Sequence, residues 1–277
     1  MKFRSDYKIA FFDVDGTTVI TSEGFVRRPA AEALRRLRAL GVCLGIASGR
    51  PLVHLKAVEE AMEYVSYKVT CNGSCVLDHE NRLVYSAPIR PESFEALRRY
   101  AREKGAGLGF HFLEQTYLYD NMDQIAWHYD TRVKEGSEVY RFLPSQDRHL
   151  TNTESPYPYN AIVMTDDEED LLRFVESLSD MRTDRPWPGC FDVFRKGQNK
   201  AMGIEAVLKK EGLSWEDCVV FGDSTNDVEM LKKAGLGVCM GNGCEAAKEA
   251  ADYVCGRIDE DGLAKAIDRI FGFEING

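Results

Sequence analysis

The sequence predicts an α/β fold: a parallel sheet with helices on both faces, interrupted by a smaller α+β domain. Three observations carry that prediction. Short apolar runs alternate with amphipathic helical stretches from Ile9 to Gly73, the order of successive β-α-β units. Between Arg82 and Cys190 strands outnumber single crossovers and aromatic residues are dense. After Cys190 the α/β alternation returns. Both ends of the chain therefore build one core, residues 1–81 and 191–277, around an inserted domain of residues 82–190.

The run IAFFDV from Ile9 is the first strand. PAAEALRRLRALG then places Ala30, Ala33, Leu34, Leu37 and Leu40 on one helical face, with Arg35, Arg36 and Arg38 mostly away from it. Pro29 suits the first helical turn and Gly41 the C-terminal cap. VCLGIAS reads as a second buried strand, PLVHLKAVEEAM as a second helix and YKVTCNG as a third strand. In the middle, LVYSAPI is a strand, PESFEALRRYAREKG a helix, and GLGFHFLEQ and YLYD are strands. A helical or irregular region follows, then the strand NAIVMT and the helix DDEEDLLRFVESLS; Pro156, Pro158, Pro186 and Pro188 mark loops. Beyond the insert, GQNKAMGIEAVLKKEG is a helix ending at Gly212 and CVVFGD a buried strand. NDVEMLKKAG is a helix, GVCMG a strand, and CEAAKEA and DGLAKAIDRIFG are the last helices.

A net charge of -10 argues against a nucleic-acid or membrane-surface binder, which would want a basic face. It leaves room for a small anionic ligand where a cation reverses the local sign. No run approaches the roughly 18 apolar residues of a membrane span, and the start lacks the apolar core of a secretory signal. The eight cysteines, at 43, 71, 75, 190, 218, 239, 244 and 255, form no C-x-x-C pair. They are read as free, mostly buried thiols of a reducing cytosol rather than as a zinc site, so the expected location is cytoplasmic.

The polar residues fall where such a sheet binds ligands. Asp13 and Asp15 follow the first strand, Ser48 the second, Asn72 and Gly73 the third, and Asp223 the strand CVVFG, with Asn226 and Asp227 just beyond. In an open parallel sheet all those strand ends share one edge. Four acids at one place need a cation or protons, and hard oxygen ligands favour Mg²⁺ together with a substrate phosphate. Lys200, near a helix start, suits a phosphoryl oxygen, and helix N-termini and glycines supply backbone N–H groups. Two carboxylates spaced i, i+2, with a metal and a lysine, suit phosphoryl transfer in which one attacks phosphorus and the other moves the leaving-group proton.

These residues resemble the haloacid dehalogenase-like (HAD) superfamily. The motifs are D-x-D-G-T at Asp13–Thr17, the strand-terminal Ser48, Lys200, and G-D-S-T-N-D at Gly222–Asp227. The resemblance implies a HAD-like Rossmannoid parallel-sheet core with an inserted α+β cap domain. It implies that Asp13 is the nucleophile and Asp15 the general acid and then base. Mg²⁺ would be held by Asp13, the main-chain carbonyl of Asp15 and Asp223, with Asp227 supporting it, and the phosphoryl group by Thr17, Ser48 and Lys200. The long stretch between Ser48 and Lys200, with ASGRP, CNG and GVCMGNG, resembles the Cof-like subclass IIB, mostly phosphatases of sugar phosphates and other small organophosphates. Thr18 departs from the leucine usual there, and Asn199 from the small residue usual before the lysine.

Other residues are read more plainly. Lys196 is a surface or flanking lysine. Arg50 either contacts substrate or caps a loop, and Asn72 and Gly73 lie on a loop that the family turns toward substrate. His111, Glu114 and Tyr117 are specificity candidates that strand alternation explains equally well; His54 and His128 are packing or surface residues. The expected function is a Mg²⁺-dependent phosphatase of small phosphorylated metabolites acting through a phospho-aspartate. The rivals are a phosphomutase or phosphotransferase of the same superfamily and a non-catalytic metabolite sensor on the same scaffold. Asp15 argues against a P-type-ATPase-like or dehalogenase site, and retention of every motif residue argues against the sensor.

Overall fold

The computed structural model describes residues 6–20, 23–55, 58, 63–113, 115–125, 142–144 and 156–273. The chain divides into two compact units, one of residues 1–49, 56–85 and 199–277 and one of residues 50–55 and 86–198.

Numbered along the chain, the first unit's sheet contains β1 (Ile9–Phe12), β2 (Cys43–Ala47), β3 (Tyr67–Thr70), β4 (Cys75–Asp78), β5 (Leu83–Ser86), β12 (Cys218–Gly222), β13 (Leu236–Cys239) and β14 (Tyr253–Val254). Their order is β14-β13-β12-β1-β2-β3-β4-β5. The pairs from β14 to β3 are parallel and β3–β4 is antiparallel. Period-two alternation sorts β1 between two cores. Ala10 and Phe12 pack with Ala33 and Leu37 of α1 (Arg28–Ala39) and Ile267 and Ile270 of α7 (Gly262–Phe271). Ile9 and Phe11 pack with Ala201 and Ile204 of α4 (Lys200–Glu211) and Met230 of α5 (Val228–Lys233). Each fully buried Phe, Ile or Leu stabilises by roughly 1.5–3 kcal/mol, so the apolar strand runs fix which way the sheet faces its helices. α6 (Glu245–Ala250) also belongs to this unit.

The second unit carries an antiparallel sheet. Its strands are β6 (Gly107–His111), β7 (Thr116–Asp120), β8 (Phe142–Pro144), β9 (Asn160–Met164), β10 (Met181–Trp187) and β11 (Cys190–Arg195). They are ordered β10-β11-β9-β6-β7-β8, the β7–β8 pair being parallel. α2 (Pro91–Lys104) and α3 (Glu168–Ser177) cover one face through Phe94, Leu97, Leu171 and Val175 against Leu108, Phe110, Val163 and Val193. On the other face His111 Nδ1 lies 2.6 Å from Thr116 Oγ1, which lies 3.4 Å from His54 Nε2. The two imidazoles meet edge to face at 5.5 Å, and all three residues are buried.

Three elements differ from the sequence reading. Leu83–Ser86, expected to open the middle region, is the edge strand of the first sheet. The Asp78 carboxylate turns the chain back there, accepting from the Glu80 and Arg82 amides at 3.0 and 2.9 Å. Pro186, expected to mark a loop, lies inside β10, whose register against β11 shifts between Asp184 and Trp187, while Pro188 sits in the turn between the two strands as expected. The second helix expected from PLVHLKAVEEAM shows a 3₁₀ turn at Leu52–His54, and most of the rest lies outside the described residues. Glu114 and His128 also lie outside them.

Candidate active site

The carboxyl ends of the parallel strands deliver the motif residues. Asp13 leaves β1 with its amide still bonded to the Phe221 carbonyl of β12 at 2.9 Å, so the two acid-bearing loops start side by side. Asp13 is 4% exposed and Lys200 1%. Lys200 is the first residue of α4, and its ammonium donates to Asp13 Oδ1 at 2.5 Å and to Asp227 Oδ1 at 2.6 Å. The other Asp227 oxygen accepts from the Asp223 and Ser224 amides, both at 2.9 Å, closing a capping box at the 3₁₀ turn Thr225–Asp227. Thr17 Oγ1 donates to Asp223 Oδ1 at 3.1 Å. A Cβ on Gly16, whose φ is +85°, would sit 2.3 Å from Asp223 Oδ2. Only glycine lets the first loop come this close to the second acid.

Asp13, Asp223 and Asp227 each offer a carboxylate oxygen within 4.8 Å of the others. Burial, resisted by the Lys200 charge and reinforced by the neighbouring acids, holds the Asp13 carboxyl well above the usual range. Burial and the Asp227 charge push Asp223 up to about 6. Burial pulls the Lys200 ammonium down, but Asp13 and Asp227 outweigh it and its pKa ends raised. Three carboxylates against one ammonium leave two negative charges uncompensated when all are ionised. All-oxygen donors with that excess fit a hard dication such as Mg²⁺. Among the described residues no cysteine joins such a group, and all eight are free thiols, most of them buried.

Asp15 lies outside this carboxylate group; it is half-buried and forms a β-bridge with Val19. Ser48 is buried directly after β2, and its carbonyl accepts from the Asn72 amide at 3.0 Å. Asn72 Oδ1 accepts from Asn226 Nδ2 at 3.0 Å, and Asn226 Oδ1 is buried without a hydrogen-bond partner. Ser48, Asn72 and Asn226 thus meet at one corner. Gly73 serves a close approach: a Cβ there would lie 2.0 Å from the Asn199 carbonyl. Arg50 falls in the second unit, where its Nη1 donates to the His54 carbonyl at 3.1 Å. His111 and Tyr117 belong to that unit's sheet: His111 joins the buried cluster above, and Tyr117 packs on the helix-covered core.

Three residues with no assigned role brace the site. Thr18 Oγ1 donates to the Asp13 carbonyl at 2.6 Å, a bond leucine could not make. Asn199 caps α4, accepting from the Met202 amide at 3.1 Å, and so fixes the turn that begins with Lys200. Asn242 Nδ2 donates to the Gly16 carbonyl at 2.8 Å. Thr18 and Asn199 are visible in the sequence as departures from the motif. Asn242 lies 226 residues from its partner, and no local pattern signals the contact.

A family model of haloacid dehalogenase-like hydrolases matches residues 10–267. The chain is 27% identical over 269 residues to the 5-amino-6-(5-phospho-D-ribitylamino)uracil phosphatase YcsE of Bacillus subtilis, covering 95% of each protein. It is 27% identical over 277 residues to the pyridoxal phosphate phosphatase YbhA of Escherichia coli, covering 94% of this chain and 97% of that one. A longer Streptococcus pyogenes relative is 27% identical over 263 residues, and the chain covers 54% of its length. Among solved structures, the HAD subclass IIB sugar phosphatase BT4131 superposes with a TM-score of 0.79 at 28% identity, covering 96% of this chain and 99% of that one.

Proposed function

The chain belongs to the haloacid dehalogenase-like hydrolases and is a phosphoric monoester hydrolase, and from that premise we propose that it dephosphorylates small phosphorylated metabolites through a phospho-aspartate on Asp13. The observation that carries the proposal is the buried Asp13–Lys200–Asp227 arrangement beside Asp223.

In this reading an Asp13 oxygen attacks phosphorus and the ester bond breaks. Asp15 gives its proton to the departing alcohol oxygen. Asp15 then takes a proton from water as that water attacks the phosphorus of phospho-Asp13, which frees phosphate and restores both acids. Lys200 neutralises charge on the nucleophile and the phosphoryl oxygens, and Thr17, Ser48 and the Asn72–Gly73 turn hold those oxygens. Arg50 and Asn226 serve substrate. Asp13, the Asp15 carbonyl and Asp223 would hold Mg²⁺, with Asp227 behind them; the ion would supply positive charge to the transferring phosphoryl group. The second unit serves as the cap that selects the ester, and the protein works in the cytoplasm. Pyridoxal phosphate and sugar phosphates are the first substrates to try, because the similar proteins are named for such esters.

The test is phosphate release from a panel of sugar, cofactor and nucleotide phosphates with Mg²⁺ and with EDTA. Release that EDTA abolishes supports the reading. No release from any member, or release indifferent to EDTA, contradicts it. Phosphate passed to a second sugar instead of water would make the protein a phosphomutase.

A further inference from the structure

The loop Met240–Cys244 follows β13 and reaches both acid-bearing loops. Its main chain holds the second: the Met240 amide donates to the Gly222 carbonyl at 3.0 Å, and the Cys244 amide to the Asp223 carbonyl at 2.8 Å. A Cβ on Gly243 would sit 3.0 Å from that same Asp223 carbonyl, so the loop lies close against Asp223. Its half-buried side chain Asn242 holds the first loop, donating to the Gly16 carbonyl at 2.8 Å. The other end of the amide accepts from the Ile258 amide at 2.9 Å, which fixes the Asn242 head group.

We propose that Asn242 is a positioning residue: it locks the Gly16–Thr17 peptide and so sets the separation between the Asp13–Asp15 loop and the Asp223 loop. This rests on the reading of those acids as the reacting and metal-holding groups. The need for a lock follows from Gly16. At φ +85° a glycine has no side chain to define its peptide orientation. The peptide is planar and trans, so its C=O and N–H point opposite ways. Fixing the Gly16 carbonyl therefore fixes the direction of the Thr17 N–H. It also fixes the starting point of the Thr17 side chain, whose hydroxyl reaches Asp223. Without the Asn242 donor, the Gly16 carbonyl is left to find another partner by rotating. Rotation would carry Thr17 away from Asp223 and shift Asp15, one residue before the glycine.

Two substitutions separate this role from simple bracing of the Ile258 segment. Asn242→Ala removes both bonds. Asn242→Asp keeps an oxygen for the Ile258 amide but turns an acceptor toward the Gly16 carbonyl, which repels it. The measurements are kcat and KM for p-nitrophenyl phosphate, the thermal midpoint, and the Mg²⁺ concentration needed to raise that midpoint. Loss of an outer partner of a metal site typically lowers activity or metal affinity by about 10- to 100-fold. Both variants should lose kcat on that scale with KM little changed. Asn242→Ala should also need about ten times more Mg²⁺ to be stabilised.

Wild-type kcat in Asn242→Asp, with any loss in Asn242→Ala tracking its thermal midpoint, would overturn the proposal and leave only a structural brace. Should Asn242→Ala fail to fold, the kcat of Asn242→Asp decides alone. Should the wild type release no phosphate from any ester, the proposed function fails by itself. The Mg²⁺ requirement of the thermal midpoint then still tests Asn242, and equal requirements in wild type and Asn242→Ala would overturn its role.

Discussion

Lys200 is the residue on which the site's charge balance turns. It is 1% exposed and bonded to two buried carboxylates. Removing one member of a buried ion cluster strands the others, which typically costs about 3–5 kcal/mol. Lys200→Met keeps most of the volume and deletes the charge. It should lower the stability of the metal-free protein by an amount in that range, read by urea unfolding at pH 7. An unchanged midpoint would mean that Asp13 and Asp227 do not depend on the ammonium. The motif acids and Lys200 were legible in the sequence because each follows a strongly apolar strand or opens an amphipathic helix. Thr18 showed in the sequence only as a departure from the motif and Asn242 not at all, because what each does is defined by a carbonyl that only the folded chain brings to it.

At the scale of elements, the β6–β7 pair encloses an unusual cluster. His111, beside Thr116 and His54, is 5% exposed. Burial, and then the His54 charge, hold its pKa well below the usual histidine value. A histidine whose folded pKa lies below its unfolded value of about 6.5 contributes stability that is present above pH 6.5 and lost as pH falls toward the folded value. His111 should therefore contribute a loss of up to about 1.4 kcal/mol per pH unit between pH 7 and pH 5, set against the raised carboxyls of Asp13 and Asp223, whose contribution runs the other way in both wild type and variant. His111→Gln should fall less steeply; equal slopes would remove His111 as the cause. Nothing in the local pattern around PLVHL announces this cluster, since His54 meets Thr116 across 62 residues of chain, in the second unit's β6–β7 hairpin. The strands β1, β2 and β12 were legible because their sequences are continuously apolar and nearly every residue in them is buried. Strand β10 was not, because Pro186 reads as loop punctuation while the register shift around it is a property of the paired strands; Pro188 marks the turn that follows.

Across the whole molecule, the motif residues Asp13, Ser48, Lys200, Asp223 and Asp227 lie in one unit, although the chain leaves that unit for more than a hundred residues between the second motif and the third. The parallel sheet explains how such distant segments arrive together, since every strand that carries a motif points its carboxyl end the same way. Among the described residues no helix is long and apolar enough to cross a membrane. Asp13 is the nucleophile of the proposed reaction, and Asp13→Asn tests that role most directly. The substitution keeps the size of the side chain and lowers the negative charge of the cluster, so the variant should fold. With Mg²⁺ and p-nitrophenyl phosphate, phosphate release should fall by at least about a thousandfold at an undiminished unfolding midpoint. Release at the wild-type rate from the folded variant would contradict the central claim.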